Sequence, residues 1–378
     1  MKYYFLAGEP SGDLHASNCM KEIINMDSNA EFAFTGGDLM QNLTGKKPAI
    51  HINQMAFMGF IRVLQNIFTI NKNFKIVKQD ILNFKPDVLV LVDYPGFNLR
   101  MAKWAFKNKI KVDYYISPTV WAWKEGRVEI IKKYTNKLFV ILPFEEAFYK
   151  KHQHKVYFVG HPLIDAIEQK KPLLKNKTQF INENGLTQQP IIAVLPGSRL
   201  QEIEYMMDIM IKVAGNFKDF QFVVGGSTNL PEAYYNKLKD YNIKVVFNQT
   251  YDLMSHAEAG IIKSGTSTLE CALFKLPQVI CYKSGALSIR IAKLLVDIKY
   301  IGLPNIIMDK PLVKELIQND FNVENITEEL TKLLRDNVYR NNIINGYTYL
   351  SEQLGGIGAS KRLAEEIVKD AKTTKQGE

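Results

Sequence analysis

Four short polar segments carry the residues best suited to chemistry, and each follows an apolar run. Gly8-Glu9-Pro10-Ser11-Gly12-Asp13 follows the apolar residues 3–7. Its glycines permit a tight turn and close backbone approach. The helix expected next offers free N–H groups to an anion or a hydroxylated substrate. Glu9 can then point a carboxylate at a ligand, or the segment is simply a βα turn capped by Asp13. Asp93 ends Val88-Leu89-Val90-Leu91-Val92, the most apolar run of the chain. A carboxylate there is costly unless it is solvated, paired or used. A general base needs a carboxylate within hydrogen-bond reach of the attacking hydroxyl, and a capping role is the competing reading.

The other two segments suit phosphate. In Pro196-Gly197-Ser198-Arg199 the Gly-Ser backbone can approach an anion, and Arg199 can grip it with paired hydrogen bonds. Lys263-Ser264-Gly265-Thr266-Ser267-Thr268-Leu269-Glu270 is the strongest local signal. A strand ends, small hydroxyl residues and a glycine form a loop, and a helix begins. Its dipole favours a diphosphate, and Glu270, one turn in, can hold a ribose diol. An ordinary N-capped helix and an exposed surface turn are the alternatives for these two segments.

What is missing narrows the chemistry. The sequence has no GxxxxGK[ST], no GxGxxG, no HExxH, no GxSxG and no Asp-x-Asp, which removes support for a P-loop ATPase, a dinucleotide enzyme, a zinc protease, a serine hydrolase and a metal–diphosphate carboxylate pair. No metal site is expected, because the six histidines are scattered. The three cysteines, Cys19, Cys271 and Cys281, form no CxxC, which fits a reducing cytoplasm better than a disulfide framework.

These loops need strands and helices to position them. Strand-like residues 3–7, 32–35, 88–92, 112–116 and 138–142 alternate with helical segments over 14–26, 61–84 and 99–107. The pattern restarts at Ile191–Leu195 and continues through 220–224, 245–247, 259–263 and Gln278–Tyr282. Such alternation predicts an α/β chain of two doubly wound units, with ligands outside the carboxyl ends of the strands and in a cleft between the units. The 378 residues suit two domains: 1–168, a polar linker or exposed edge element over 169–189, and 190–345, with a C-terminal helix and frayed tail over 346–378. Trp121 and Trp123 read as core or cleft wall.

With 48 Lys and Arg against 39 Asp and Glu, the chain carries +9 and calls for an anionic partner. The absence of a recognisable nucleic-acid module argues against nucleic acid. The stretch 55–78 sets Ile61, Leu64, Ile67 and Phe68 beside Arg62, Lys72 and Lys75. That pattern suits either a core-facing helix with a basic outer face or a membrane-interface helix. No apolar stretch is long enough to predict a membrane span.

The motifs form an ordered series. AGEPSGDLHA (7–16), MGF (58–60), KPDVLVLVDYPGFN (85–98), SPTVWAW (117–123), LPFE (142–145), GHPL (160–163), LPGSR (195–199), SGTSTLE (264–270) and LPN (303–305) follow one another along the chain. Together they resemble the lipid-A-disaccharide synthase family. The resemblance implies a GT-B glycosyltransferase of two Rossmann-like domains, with a C-terminal helical segment crossing back. It implies inverting transfer of 2,3-diacylglucosamine from UDP to the 6-hydroxyl of 2,3-diacylglucosamine 1-phosphate, without a cofactor, at the cytoplasmic face of the inner membrane. The partners it implies are those two substrates and an anionic membrane surface, with a homodimer as a candidate assembly. By resemblance, Asp93 is the preferred general base and Glu9 the second catalytic carboxylate. Arg199 with Ser198 serves the diphosphate, residues Ser264, Gly265, Thr266, Ser267 and Thr268 cradle phosphate, and Glu270 contacts ribose. Asn305, Gln318 and Tyr282 become nucleotide or acceptor contacts. Another GT-B UDP-sugar transferase, a UDP-sugar epimerase and a non-catalytic UDP-sugar binding protein are the alternatives.

Overall fold

Every residue of Val88–Val92 is buried, as a strand covered on both faces of a parallel sheet requires. In the computed structural model, which describes residues 1–55, 67–197, 200–228, 230–283 and 299–375, this strand lies in a six-stranded sheet. The strands are β1 (Lys2–Ala7), β2 (Glu31–Thr35), β3 (Val88–Val92), β4 (Val112–Tyr115), β5 (Lys137–Val140) and β6 (Tyr157–Phe158). They pair in parallel in the order β2-β1-β3-β4-β5-β6. A second sheet holds β7 (Ile191–Leu195), β8 (Gln221–Gly226), β9 (Lys244–Phe247), β10 (Ala257–Lys263), β11 (Gln278–Tyr282) and β12 (Glu315–Ile317). Its order is β12-β11-β10-β7-β8-β9, again parallel. The chain divides accordingly into Met1–Asp165 with Leu354–Glu378, and Ala166–Gln353.

The two-residue period of the strands sorts the first core into two faces. Tyr4, Leu6, Leu89, Leu91, Tyr114 and Leu138 point to one side, where helices Ile67–Phe84, Pro95–Lys107 and Arg127–Tyr134 cover them. Tyr3, Phe5, Val90, Val92, Tyr115 and Phe139 point to the other, under helix Pro10–Met26 and the C-terminal helix Ala359–Lys375. Leu363, Ala364, Ile367 and Ala371 of that last helix are fully buried. Asp165 caps its start, accepting from Gly358 N (2.6 Å) and Ser360 N (2.8 Å). The expected return of the C-terminal segment is therefore present, as a helix built into the first unit.

Three boundaries differ from expectation. The stretch 169–189 is folded rather than a linker: helix Lys177–Glu183 carries a capping box at Asn176 and buries Phe180 and Ile181. Its polar composition hid just two core residues. Helix Asn337–Gln353 runs through the expected break at 345/346, and the chain turns instead at Gly355 and Gly356, both at positive φ. β8 runs on through Gly225 and Gly226, past the expected strand end at 224. A Cβ on Gly226 would lie 2.4 Å from the Phe247 ring, so the glycines there admit a neighbour rather than end a strand.

Candidate functional site

In the first unit, the register sets the chemistry. Ala7 of β1 lies opposite Val92 of β3, so Gly8-Glu9 and Asp93-Tyr94 leave adjacent strands side by side at the carboxyl edge. Glu9 takes an extended conformation at the N-cap of helix Pro10–Met26, but its side chain makes no capping bond. Asp13 does not cap this helix. It is buried inside it and accepts from Gly37 N (2.9 Å), Leu39 N (3.0 Å) and Met40 N (3.3 Å), capping the neighbouring helix Asp38–Thr44. Among the described residues, the Glu9 carboxylate has no hydrogen-bond partner.

Asp93 and Tyr94 are consecutive left-handed residues, at φ 46° and 48°. Such positions cost on the order of 1–3 kcal/mol each for a non-glycine residue and persist where the surroundings enforce them. Here the Asp93 N–H donates to Tyr115 O (2.8 Å), and the Asp93 carbonyl accepts from Tyr114 OH (2.7 Å) and Asn98 Nδ2 (2.7 Å). Tyr94 OH donates to Met55 O (2.7 Å), and its ring lies where a Cβ on Gly8 would come within 2.4 Å. Gly8 is thus required by the approach of Tyr94. The result is a fixed, aimed carboxylate. Burial, then the charge of Glu9, pushes the Asp93 carboxyl up to about 6, against a smaller opposing effect of the Tyr94 N–H. Burial also raises Glu9. Two carboxyls with pKa values raised toward neutrality, at one strand edge, suit proton transfer near neutral pH.

The same edge holds groups that the sequence did not single out. Glu145, 1% exposed, accepts from Leu142 N (2.9 Å) and Ile141 N (3.2 Å) and is pushed up to about 7 by burial. Ser117 and Tyr149 share a 2.7 Å hydrogen bond beside it. Trp121 packs edge-on against Phe144, as a wall residue would, whereas Trp123 is 38% exposed. Only the LPFE and SPTVWAW matches pointed to these residues.

In the second unit, the loop after β10 opens helix Thr266–Leu273 with Gly265 and Thr266 exposed. Most of its polar side chains are engaged within the fold. Ser264 Oγ donates to Ile301 O (2.8 Å), and Thr268 Oγ1, fully buried, donates to Gly265 O (2.8 Å). Glu270 accepts from Tyr251 OH (2.8 Å) and Ser267, and burial raises its pKa. Tyr282 is half-buried, with the Lys263 ammonium 5.7 Å from its ring centroid. Gln318, at φ 59°, donates its backbone N–H to Tyr282 O (2.9 Å).

Asn305 lies inside the fold. It is 1% exposed; its Nδ2 donates to Val313 O (2.9 Å) and Glu315 Oε1 (2.8 Å), and its Oδ1 accepts from Val313 N (2.9 Å). Its amide braces the LPN turn. Among the membrane candidates, Phe68 is 85% exposed and Lys72 and Lys75 are exposed, while Phe74, Val77 and Ile81 of the same helix face the core. Ile67 lies in that helix. Ile61, Arg62, Leu64, Ser198 and Arg199 lie outside the described residues.

The order of these motifs has a counterpart in known proteins. A family model described as lipid-A-disaccharide synthetase matches residues 3–367. This chain belongs to the lipid-A-disaccharide synthase family. The enzyme of that name from Coxiella burnetii (strain CbuG_Q212) is 35% identical over 366 residues, covering 96% of each chain. That from Trichlorobacter lovleyi is 37% identical over 367 residues, covering 95% of this chain and 94% of its own. Among solved structures, a UDP-GlcNAc 2-epimerase from Neisseria meningitidis bound to UDP-GlcNAc aligns with a TM-score of 0.67 at 18% identity, over 98% of this chain and all of the other. The glycotransferase of kitacinnamycin aligns with a TM-score of 0.64 at 10% identity, over 98% and 99%. At such identities the likeness is one of fold, and the fold is GT-B. Members of the family are glycosyltransferases, so the chain is an enzyme of that class. Among the described residues, no helix is long and apolar enough to cross a membrane.

Proposed function

We propose that the chain transfers 2,3-diacylglucosamine from UDP to the 6-hydroxyl of 2,3-diacylglucosamine 1-phosphate with inversion, giving the β(1→6) disaccharide 1-phosphate and UDP. The family match over residues 3–367 carries this reading, and the carboxylate edge supplies the chemistry. Asp93 accepts the proton of the acceptor 6-hydroxyl as that oxygen attacks C1 of the donor sugar. A base with a pKa of about 6 is ionised at neutral pH yet still basic enough to take the proton. Glu9 orients the acceptor and keeps the Asp93 pKa raised. As the C1–O bond to UDP breaks, negative charge grows on the diphosphate. The amino end of helix Thr266–Leu273 and the guanidinium of Arg199 compensate it, with Glu270 on the ribose and Tyr282 and Gln318 near the base. The role of Arg199 rests on its chemistry and its motif.

The acyl chains call for a lipid surface. Phe68, exposed beside Lys72 and Lys75, suits an anionic inner-membrane face, with the aromatic ring in the interface and the ammonium groups on headgroups. The deciding experiment offers acylated and unacylated UDP-glucosamine separately, with the acylated acceptor. The reading expects equimolar UDP and disaccharide from the acylated donor only. UDP release without disaccharide, or epimerisation of the UDP-sugar, would favour the other readings.

A further inference from the structure

The loop after β4 holds two cations that the roles above do not use. Val92 of β3 lies opposite Tyr115 of β4, so the chain beyond Tyr115 leaves the sheet beside Asp93. Lys124, at φ 56°, starts a turn closed by Arg127 N donating to Lys124 O (2.9 Å). Both cations lie over the ring of Trp123, with Lys124 Nζ 4.3 Å and the Arg127 guanidinium carbon 5.3 Å from its centroid. Trp123 Nε1 donates to Thr119 Oγ1 (3.2 Å), which fixes the indole, and the ring is 38% exposed. Lys124 is exposed and Arg127 half-buried, so the pair reaches solvent.

No carboxylate among the described residues pairs with either cation. The one acid of the turn, Glu125, reaches His152 Nε2 instead (2.9 Å). Two like charges held against one ring, with no counter-ion, are arranged for an anion from outside. The positive charge of Arg127 also acts on the Tyr114 phenol, opposing the upward push of burial and of Asp93. That phenol donates to the Asp93 carbonyl. Arg127 starts helix Arg127–Tyr134, whose Val128 and Ile131 pack on the same sheet face as Tyr114, the face nearest the Asp93 carbonyl that Tyr114 holds.

We propose that Lys124 and Arg127, held on the Trp123 ring in the connection that leaves β4 next to Asp93, form the site that reads the phosphate monoester of the acceptor and so selects phosphorylated over unphosphorylated sugar lipids. The guanidinium fork takes two phosphate oxygens, and the ammonium group adds a point charge. This rests on the transfer reading above, and the test separates the two.

The full-length enzyme is assayed with UDP-diacylglucosamine and either diacylglucosamine 1-phosphate or the same lipid lacking phosphate. The wild-type ratio of kcat/KM for the two acceptors should favour the phosphorylated one. In the Lys124→Gln/Arg127→Gln double variant that ratio should fall roughly tenfold to a hundredfold, the effect of losing charge-assisted hydrogen bonds to one anion. Arg127→Lys should fall between. A sample that is partly misfolded loses both activities together and leaves the ratio intact, so the ratio reports recognition. An unchanged ratio in the double variant overturns this proposal while leaving the transfer reading standing. Equal losses with both acceptors, as a membrane-binding role of the cluster would give, also overturn it. No disaccharide from the wild-type enzyme with either acceptor would overturn both.

Discussion

The carboxyl edge of the first sheet and the loop after β10 in the second unit were both marked by polar residues following an apolar strand, yet they are built in opposite ways. At the first edge the chain accepts strain and leaves polar groups unspent. Glu9 makes no capping bond, and Asp93 sits in a left-handed conformation enforced by Tyr114, Asn98 and Tyr115. In the second unit, Ser264, Thr268, Glu270 and Asn305 are all engaged internally. What remains for a ligand there is largely the helix amino end and the backbone. A strained residue whose carboxyl is raised by burial points to proton transfer, whereas a satisfied hydroxyl points to turn construction.

Breaking the two regions should therefore give unequal results. Asp93→Asn should lower kcat by about 10²–10⁴, the usual scale for removing a general base, whereas Ser264→Ala should cost less than about tenfold, in line with one hydrogen bond. Comparable losses in both would erase the contrast. Gly8→Ala should follow in size. A methyl group 2.4 Å from the Tyr94 ring forces that residue aside, destabilising by roughly 1–3 kcal/mol in a denaturant melt. It should lower kcat as well, because the Asp93 loop moves with Tyr94. Asn305→Ala should destabilise by a similar or smaller amount, about 1–3 kcal/mol, since Val313 N and Glu315 lose a buried partner. Its KM for the UDP donor should stay near wild type in the fraction that remains folded. Smallest of all, Glu270→Gln should raise that KM roughly threefold to tenfold with kcat little changed, the signature of lost uniform binding.

The strands were legible because their apolar runs are continuous; that β1 and β3 are neighbours came from the structure alone. The placement of Glu9 and Asp93 at strand ends was legible for the same reason, and a charged residue at the end of a wholly buried strand has few ways to be tolerated. The fate of Asp13 was not, because its partners, Gly37, Leu39 and Met40, are 24 or more positions away in sequence. The bracing bonds of Asn305 were hidden in the same manner: a polar residue in a motif looks the same whether it meets a ligand or braces a turn. The segment 169–189 hid its helix because only Phe180 and Ile181 reach the core. Lys124 and Arg127 were lost among 48 Lys and Arg until the turn placed them on one ring.

The central claim is that Asp93, raised by burial and by Glu9, is the base of the transfer. The pH dependence of the single-turnover rate tests it in the wild type and in Glu9→Gln. The deprotonated form is the active one, so the wild-type rate should fall as pH drops through about 6. Removing the Glu9 charge removes one of the two causes that raise Asp93, so the acid limb of Glu9→Gln should move to lower pH, whatever that variant's maximal rate. A wild-type rate with no limb near pH 6, or a limb that stays in place without Glu9, would contradict the account.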